Sequence, residues 1–250
     1  MTILWSKKTT TDEYKVTRAG HAIRLYRNGV LHSQWNPKKP VSGHLWDLFL
    51  LSSLGKDVSR VLLLGAGGGA VVNLVHHFFP LAKIDAIELD KYHIHAARYF
   101  FRVNAKFCML YQDDVSYWMK NNKQEKYDLI IDDVFFEAQG KPFRSVEAHT
   151  KWIQKLLIKL TSQGVLVINF ADSNEWHLSK KQLEQEKYFA DYNFASSRHS
   201  HCENQIIHIS RIDLSLKMLR EKIQDQKFKV FRRNLKAGVY IYRSIRPRIK

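Results

Sequence analysis

The sequence predicts an α/β fold with a mostly parallel sheet, and three consecutive patterns lead to that prediction. An apolar run at 61–64 breaks into the glycine cluster at 65–69. Apolar residues at helical spacing follow at 71–79, and a second apolar run ends in Glu88. This order of strand, glycine turn, helix, strand and acid is typical of nucleotide-binding βαβ units. We therefore expect a Rossmann-like sheet, preceded by a small β-hairpin and completed by an antiparallel strand pair.

The glycine cluster predicts a cofactor site. Gly65, Gly67 and Ala70 fit the pattern G-x-G-x-x-[G/A]. Glycines allow the backbone to approach a ligand closely, and the helix that follows presents free N–H groups. A carboxylate about 20 residues further on, here Glu88, can accept both hydroxyls of a ribose. We predict that Gly65, Gly67, Gly69 and Glu88 bind a nucleoside cofactor.

Two further acids help to decide which cofactor this is. Asp114 follows a third apolar stretch at 107–110, and Asp133 follows a fourth at 127–132. Acids at the ends of successive parallel strands line the edge where such folds bind ligands, and Asp114 can accept the adenine amino group. An acidic rim suits a cationic sulfonium better than a pyrophosphate. An S-adenosylmethionine-type cofactor is thus favoured over NAD(P), and a glycine turn without a ligand is the remaining alternative.

At this point residues 23–170 resemble the spermidine synthase-like branch of the class I S-adenosylmethionine-dependent transferases. The resemblance is carried by the motifs VLLLGAGGGAVV, IELD and YDLIIDDVF, the hairpin AIRLYRNGVLHSQW and the helix GHLWDLFLLSSL. It implies a class I methyltransferase sheet with Glu88 on the ribose, Asp114 on the adenine and Asp133 as catalytic aspartate. The implied cofactor is S-adenosylmethionine or its decarboxylated form. The implied product is S-adenosylhomocysteine or methylthioadenosine.

The chain departs from the aminopropyltransferases where those enzymes hold a cationic amine. Gly68 stands in place of an Asp, Phe136 replaces a second Asp, and of the motif on the preceding helix only the acid Asp47 remains. Removing one carboxylate from a desolvated charge pair costs about 3–5 kcal/mol. We therefore expect methyl transfer rather than aminopropyl transfer, with Gly68 leaving room for the carboxylate of the methyl donor.

The expected chemistry is an in-line displacement on a carbon attached to sulfur. The protein then supplies proximity, alignment and removal of a proton from the nucleophile. Asp133 is the predicted catalytic residue, with a helix cap as its structural alternative, and strand alternation turns Asp132 the other way. Asp47, Phe136 and Asp172 are the predicted substrate contacts.

The remaining elements follow from periodicity and turn signals. Asn28-Gly29 predicts a tight hairpin within 13–35. Helices are predicted at 43–54, 92–103, 145–161 and 213–226, and strands at 165–170, 193–198, 205–210 and 238–243. Gly164 is expected to end the helix at 145–161. The predicted domains are an N-terminal hairpin region (1–42), the transferase domain (43–243) and a basic tail (244–250).

Composition limits the class of protein. The 250 residues are 45% hydrophobic, enough for a substantial core. No apolar run reaches the roughly 18 residues of a membrane span, so we expect no membrane association and a cytoplasmic location. Two cysteines give no disulfide framework. The histidines lack ligand spacing, so no metal site is predicted; the pair His199 and His201 is the weak alternative.

The net charge of +16 is concentrated at the two ends of the chain. Residues 1–60 hold 10 Lys and Arg against 4 Asp and Glu, and residues 211–250 hold 13 against 3. Basic flanks attract anions, so an anionic partner, either a nucleic acid or an acidic protein, is expected beside the small-molecule cofactor. A solvated basic face is the alternative, and a homodimer is also compatible with the sequence.

Three functions remain open from the sequence. The first is a methyltransferase, which the missing amine-holding acids favour. The second is a polyamine aminopropyltransferase that uses decarboxylated S-adenosylmethionine. The third is a non-catalytic module that has kept the fold and binds the cofactor or a polyanion.

Overall fold

The structure, a computed structural model, describes residues 1–122, 126–138 and 141–249. Its strands are β1 (Thr2–Lys8), β2 (Glu13–Ala19), β3 (Ala22–Arg27), β4 (Val30–Trp35), β5 (Arg60–Leu64), β6 (Lys83–Glu88), β7 (Cys108–Gln112), β8 (Tyr127–Asp132), β9 (Phe135–Ala138), β10 (Lys141–Arg144), β11 (Leu160–Phe170), β12 (Asn193–His199), β13 (Gln205–Ser210) and β14 (Tyr240–Ile245). Its α-helices are α1 (Ala70–Phe78), α2 (Lys91–Tyr99), α3 (Val115–Asn121), α4 (Thr150–Ile158), α5 (Ser173–Leu183), α6 (Leu216–Lys222) and α7 (Lys229–Lys236). Short 3₁₀ helices cover Leu45–Ser53, Lys187–Phe189 and Gln226–Phe228.

The described strands form a mostly parallel central sheet and two smaller antiparallel sheets. The central sheet has eight strands in the order β14-β12-β13-β11-β8-β5-β6-β7. The pairs β6–β7 and β8–β11 are parallel, whereas β11–β13, β12–β13 and β12–β14 are antiparallel. This confirms the predicted Rossmann-like fold with an antiparallel strand pair near its C-terminal end. Strands β1 to β4 form the N-terminal antiparallel sheet, and β9 pairs with β10.

The chain divides into two compact units, and the first comprises Met1–Ser42 and Leu63–Lys123. Its N-terminal sheet turns at Asn28 and Gly29, both at positive φ (50° and 82°), as the sequence predicts for this pair. The Asn28 side chain closes the turn by accepting the N–H of Glu13 at 2.9 Å. Val16 and Leu25 are fully buried beneath this sheet. The hairpin predicted within 13–35 is thus part of a four-stranded sheet, because residues 2–8 add the edge strand β1.

The rest of the first unit is the βαβ segment that the glycine motif predicts. Helix α1 buries its apolar face through Val72, Leu74 and Val75, which are at most 2% exposed. Strand β6 then pairs in parallel with β7, which sets Glu88 opposite Gln112. Asp90 begins α2 by accepting the N–H groups of Tyr92 and His93. The strand ends that carry the predicted cofactor contacts therefore share one edge of this unit.

The second unit comprises Gly43–Leu62 and Gln124–Lys250. Strand β8 is the apolar run of the fourth predicted strand, and its parallel register with β11 pairs Asp132 with Ile168. Strand β13 pairs with the other edge of β11 and sets His208 opposite Val167. Strands β12 and β14 follow in antiparallel register. The side chains of β8, β11 and β13 are almost entirely buried, which makes this part of the sheet the core of the unit.

Several predicted boundaries in the second unit are wrong. The helix predicted at 145–161 spans only Thr150–Ile158, because the preceding residues form β9 and β10 and the ring of His149 caps the helix at the N–H of Trp152. Gly164 does not end that helix: it lies inside β11, where a Cβ would stand 2.7 Å from the carbonyl oxygen of Tyr127. The region predicted as one helix at 213–226 contains the shorter α6, and α7 was not predicted.

Two searches of the described residues for other sites found nothing. No helix in that part of the chain is long and apolar enough to cross a membrane. Residues 1–122, 126–138 and 141–249 also contain no group of three or more His, Cys, Asp or Glu side chains placed to hold a metal ion.

Candidate functional site

The glycine turn of the first unit is held against the end of β6. The N–H groups of Gly65 and Ala66 both donate to the carbonyl oxygen of Ile87, at 2.9 and 3.1 Å. Gly65, Gly67 and Gly69 all have positive φ (84°, 51° and 87°), a conformation that residues with a side chain adopt only with strain. At Gly69 an added Cβ would stand 2.6 Å from Val103. The turn therefore requires the glycines that the sequence analysis assigns to cofactor binding.

Glu88 lies beneath this turn and is 9% exposed. Its Oε2 accepts the N–H of Gly67 at 2.7 Å, and its Oε1 accepts the N–H of Asp90 at 2.9 Å. The Nδ1 atom of His93 lies 3.6 Å from Oε1. Burial by itself would raise the pKa of Glu88, but His93 and the two backbone donors outweigh it and hold that pKa below its usual value. The carboxylate is thus ionised and ready to accept hydrogen bonds.

Gly68 has a structural reason that the sequence did not reveal. Its N–H donates to the hydroxyl of Ser33 at 2.7 Å. A Cβ at this position would lie 2.9 Å from the Cβ of Ser33 and 3.0 Å from a methyl carbon of Leu25. The space that was expected to receive a donor carboxylate is filled by β3 and β4 of the N-terminal sheet. Glycine is therefore required here by packing.

Asp114 lies beyond the end of β7 and is exposed. Its Oδ1 caps α3 by accepting the N–H groups of Ser116 and Tyr117 at 2.8 and 3.1 Å. Both capping bonds use Oδ1, so Oδ2 remains able to accept an adenine amino group. The neighbouring Asp113 donates its N–H to the carbonyl oxygen of Glu88 at 3.2 Å. The structure thus brings the glycine turn, Glu88 and the Asp113-Asp114 pair to one edge of the first unit.

Asp133 belongs to the second unit and follows β8 directly. It is half-buried, and its Oδ1 accepts a hydrogen bond of 2.7 Å from the side-chain amide of Asn169. Asn169 is 4% exposed, and its own Oδ1 accepts from Asn204 at 3.1 Å. The parallel register that pairs Asp132 with Ile168 also places the next residues, Asp133 and Asn169, side by side. A polar residue inside the apolar run of the fifth strand was the available signal for Asn169, and the sequence analysis missed it.

Asp132 points into the core, as the alternation argument expected. It is fully buried, and its Oδ2 accepts from Arg144 at 2.6 Å and from the indole N–H of Trp152 at 2.9 Å. Arg144 also lies 3.6 Å from Glu175. Burial raises the pKa of Glu175 above its usual value, which Arg144 only partly offsets. Asp132 therefore ties β8 to its neighbours through a buried ion pair.

The three predicted substrate residues occupy different settings in the second unit. Asp47 is 1% exposed, and its Oδ2 accepts from Tyr240 at 2.5 Å and from the N–H of Gly43 at 2.7 Å. Asp172 caps α5 at the N–H groups of Asn174 and Glu175. Phe136 is 46% exposed on β9, and its ring lies 5.9 Å from that of Phe143. Of these three, Phe136 presents the most accessible side chain.

Comparison with solved structures defines the class of fold. A probable spermidine synthase from Corynebacterium glutamicum ATCC 13032 superposes with a TM-score of 0.73 at 17% identity, over 98% of this chain and 91% of that one. Human methyltransferase-like protein 13, solved with SAH, superposes with a TM-score of 0.58 at 22% identity, over 80% of this chain and 91% of that one. The fold is that of the class I S-adenosylmethionine-dependent transferases in their spermidine synthase-like form.

Curated relatives fall on both sides of that class. The chain is 28% identical over 172 residues to a malonyl-[acyl-carrier protein] O-methyltransferase from Bacillus anthracis, covering 66% of this chain and 59% of that protein. It is 25% identical over 138 residues to a polyamine aminopropyltransferase from Vibrio vulnificus, covering 54% of this chain and 45% of that protein. The chain thus spans about half the length of these relatives. No family model matches the chain.

Proposed function

We propose that the protein is an S-adenosylmethionine-dependent methyltransferase. The first unit fits the nucleoside part of this cofactor: Gly67 and Gly69 leave a backbone cradle that a Cβ would fill, and Glu88 supplies an ionised carboxylate. Gly65 shapes the turn, and Asp114 supplies an acceptor for the adenine. When bound, the cofactor supplies a methyl carbon activated by a sulfonium. S-adenosylhomocysteine would then be the product.

The observation that favours methyl over aminopropyl transfer is the packing at Gly68. Ser33 and Leu25 fill the volume that an aspartate side chain would need. The carboxylate that the aminopropyltransferases carry at this point therefore cannot be accommodated in this fold. Asp47 is buried against Tyr240, and Phe136 stands where the second acid would be. The O-methyltransferase among the curated relatives supports the same choice.

Asp133 is the residue that we propose as orienting or deprotonating the acceptor. It is half-buried, so it can reach a ligand, and Asn169 holds one of its oxygens. A carboxylate held in this way can accept a proton from a hydroxyl or an amine as the new bond to carbon forms. Phe136 is proposed as an apolar wall for the acceptor, and Asp172 and Asp47 as positions near the acceptor whose present partners would have to be displaced.

The test compares the two donors by calorimetric titration. S-adenosylmethionine should bind at least as tightly as its decarboxylated form, because the side chain that would favour the decarboxylated donor is missing. Binding of the decarboxylated form that is tighter by about ten-fold, or about 1.4 kcal/mol, would establish aminopropyl transfer instead.

Aminopropyl transfer is the second candidate, and the similarity to spermidine synthases and to the Vibrio aminopropyltransferase favours it. Its donor would be decarboxylated S-adenosylmethionine and its product methylthioadenosine. A non-catalytic module is the third candidate, and it predicts cofactor binding without turnover.

An anionic partner is proposed for the basic C-terminal flank. Helix α7 exposes Lys229, Arg233 and Lys236, and the following strand β14 exposes Arg243. Such a surface attracts a nucleic acid or an acidic protein. The homodimer, the cytoplasmic location and the domain boundaries at 42 and 243 likewise remain predictions.

A further inference from the structure

His93 lies against the carboxylate that would bind the ribose. It is 5% exposed, and its Nδ1 lies 3.6 Å from Oε1 of Glu88. Its Nε2 is buried without a hydrogen-bond partner among the described residues, 4.0 Å from Oδ2 of Asp90. A buried imidazole with one nitrogen unsatisfied is costly unless the ring carries out some further task.

The acceptor capacity of Glu88 is nearly used up by the chain itself. An ionised carboxylate offers about four lone-pair positions, two on each oxygen. Gly67 occupies one position on Oε2, and Asp90 occupies one on Oε1. A protonated His93 takes the second position on Oε1. One position then remains, although a ribose presents two hydroxyl groups.

The groups that face His93 make its protonation state responsive near neutral pH. Glu88 and Asp90 lie on one side, the ring of His32 lies 5.0 Å away, and the ring of Tyr14 lies 5.9 Å away. Burial would lower the pKa of His93, but Glu88 and Asp90 outweigh burial and the opposing charge of Arg27, and they raise that pKa above 6.5. Burial and His93 lower the pKa of His32 to about 4, so His32 is neutral in this range.

We propose that His93 is a positioning residue for the cofactor: protonated, it holds the Glu88 carboxylate to itself, and deprotonated, it releases one acceptor position to the ribose. This inference rests on the proposed function only in taking Glu88 as the ribose ligand. It goes beyond that function by making nucleoside affinity increase with pH.

The experiment titrates methylthioadenosine into the full chain between about pH 6 and about pH 9, which spans the ordinary and the raised range of a histidine. This probe carries the ribose and lacks the amino acid group, whose own titration would confuse the result. We expect binding to become about ten-fold tighter across the range, the effect of one more hydrogen bond to a charged group. His93→Gln should flatten the profile. His95→Gln is the matched control, because His95 lies two residues further along the same helix beside Trp5 and Tyr99; it should keep the wild-type profile.

Each other outcome overturns the inference. Measurable binding that does not change with pH in the wild type removes the role of His93 and leaves the proposed function intact. Binding that weakens as pH rises would mean that protonated His93 only supports the fold. A His93→Gln profile that keeps the wild-type slope would assign the titration to another group. If neither methylthioadenosine nor S-adenosylmethionine binds at any pH, the proposed function fails together with the inference.

Discussion

The side-chain amide of Asn169 donates a hydrogen bond of 2.7 Å to Oδ1 of Asp133, and Asn204 in turn donates to Asn169. Three residues from three parts of the chain thus determine how one half-buried carboxylate is oriented. The neighbouring Asp132 is buried and paired with Arg144. The two adjacent aspartates therefore carry different expectations.

Asp133→Asn should reduce turnover by roughly 10²–10⁴, the range for loss of a general base. Cofactor affinity should change by no more than a few-fold, because the glycine turn and Glu88 are unaltered. Steady-state kinetics with an identified acceptor, together with calorimetry, would measure both quantities. An unchanged turnover would return Asp133 to a structural role.

Asp132→Asn should instead lower the free energy of unfolding by about 3 kcal/mol. The reason is that Arg144, whose side chain is 2% exposed, would lose its closest charged partner, and breaking a buried pair is costly. Urea denaturation of both variants would measure the difference, with Asp133→Asn expected to cost less than about 1 kcal/mol. Equal losses of stability at the two positions would contradict this division of roles.

Gly68→Ala should destabilise the protein by about 1–3 kcal/mol, because the new methyl group meets Ser33 and Leu25 at 2.9 and 3.0 Å. Thermal or urea unfolding would measure this cost. In the double variant with Ser33→Gly, part of the cost should be recovered, because one of the two clashing groups is removed. A fully additive double variant would mean that Gly68 and Ser33 do not compete for the same space.

Two buried histidines predict that stability decreases in acid. Burial lowers the pKa of His208 to about 3. Burial, with a further contribution from His93, lowers that of His32 to about 4. The unfolded chain binds protons at these sites from about pH 6.5 downward while the folded chain does not, so stability falls as pH falls from that value toward the folded pKa. His208→Asn should make the decline shallower in urea unfolding series. The same variant near pH 8 is the control, since there it reports only the loss of the Ser197 hydrogen bond. An unchanged slope would contradict the assignment.

His93 has the opposite linkage. Its pKa in the folded protein is raised, so its contribution to stability is complete below about 6.5 and is lost as pH rises through the raised value. Stability and nucleoside affinity should therefore change in opposite directions on the alkaline side. Unfolding and binding series on the same sample would show whether they do.

The sequence predicted what depends on local patterns and missed what depends on distant pairing. The glycine turn, the acid that ends β6 and the tight hairpin at Asn28 and Gly29 each follow from a few consecutive residues. The contact of Gly68 with Ser33 and the bond of Asp47 to Tyr240 join residues that are far apart along the chain. Periodicity carries no information on such partners. For the same reason, Gly164 was interpreted as a helix end although the approach of Tyr127 is what requires it.

The end of the predicted helix at 145–161 failed for a related reason. Apolar residues at helical spacing start close to the true helix, but the preceding segment pairs with itself as β9 and β10. Strand pairing gives that segment partners that a helix could not offer it. The capping ring of His149 is equally hard to predict, because histidine is a rare cap.

The most direct measurement is a calorimetric titration of S-adenosylmethionine and of methylthioadenosine into the wild type and into Glu88→Ala. Both ligands should bind the wild type with micromolar to sub-millimolar affinity, and Glu88→Ala should weaken binding by about 1.5–3 kcal/mol through loss of charged hydrogen bonds. Asp85→Ala, three residues earlier on the same strand, should remain within a few-fold of the wild type. Tighter binding of NAD(H) than of either ligand, or an unchanged affinity in Glu88→Ala, would contradict the assignment of this edge to an S-adenosyl cofactor.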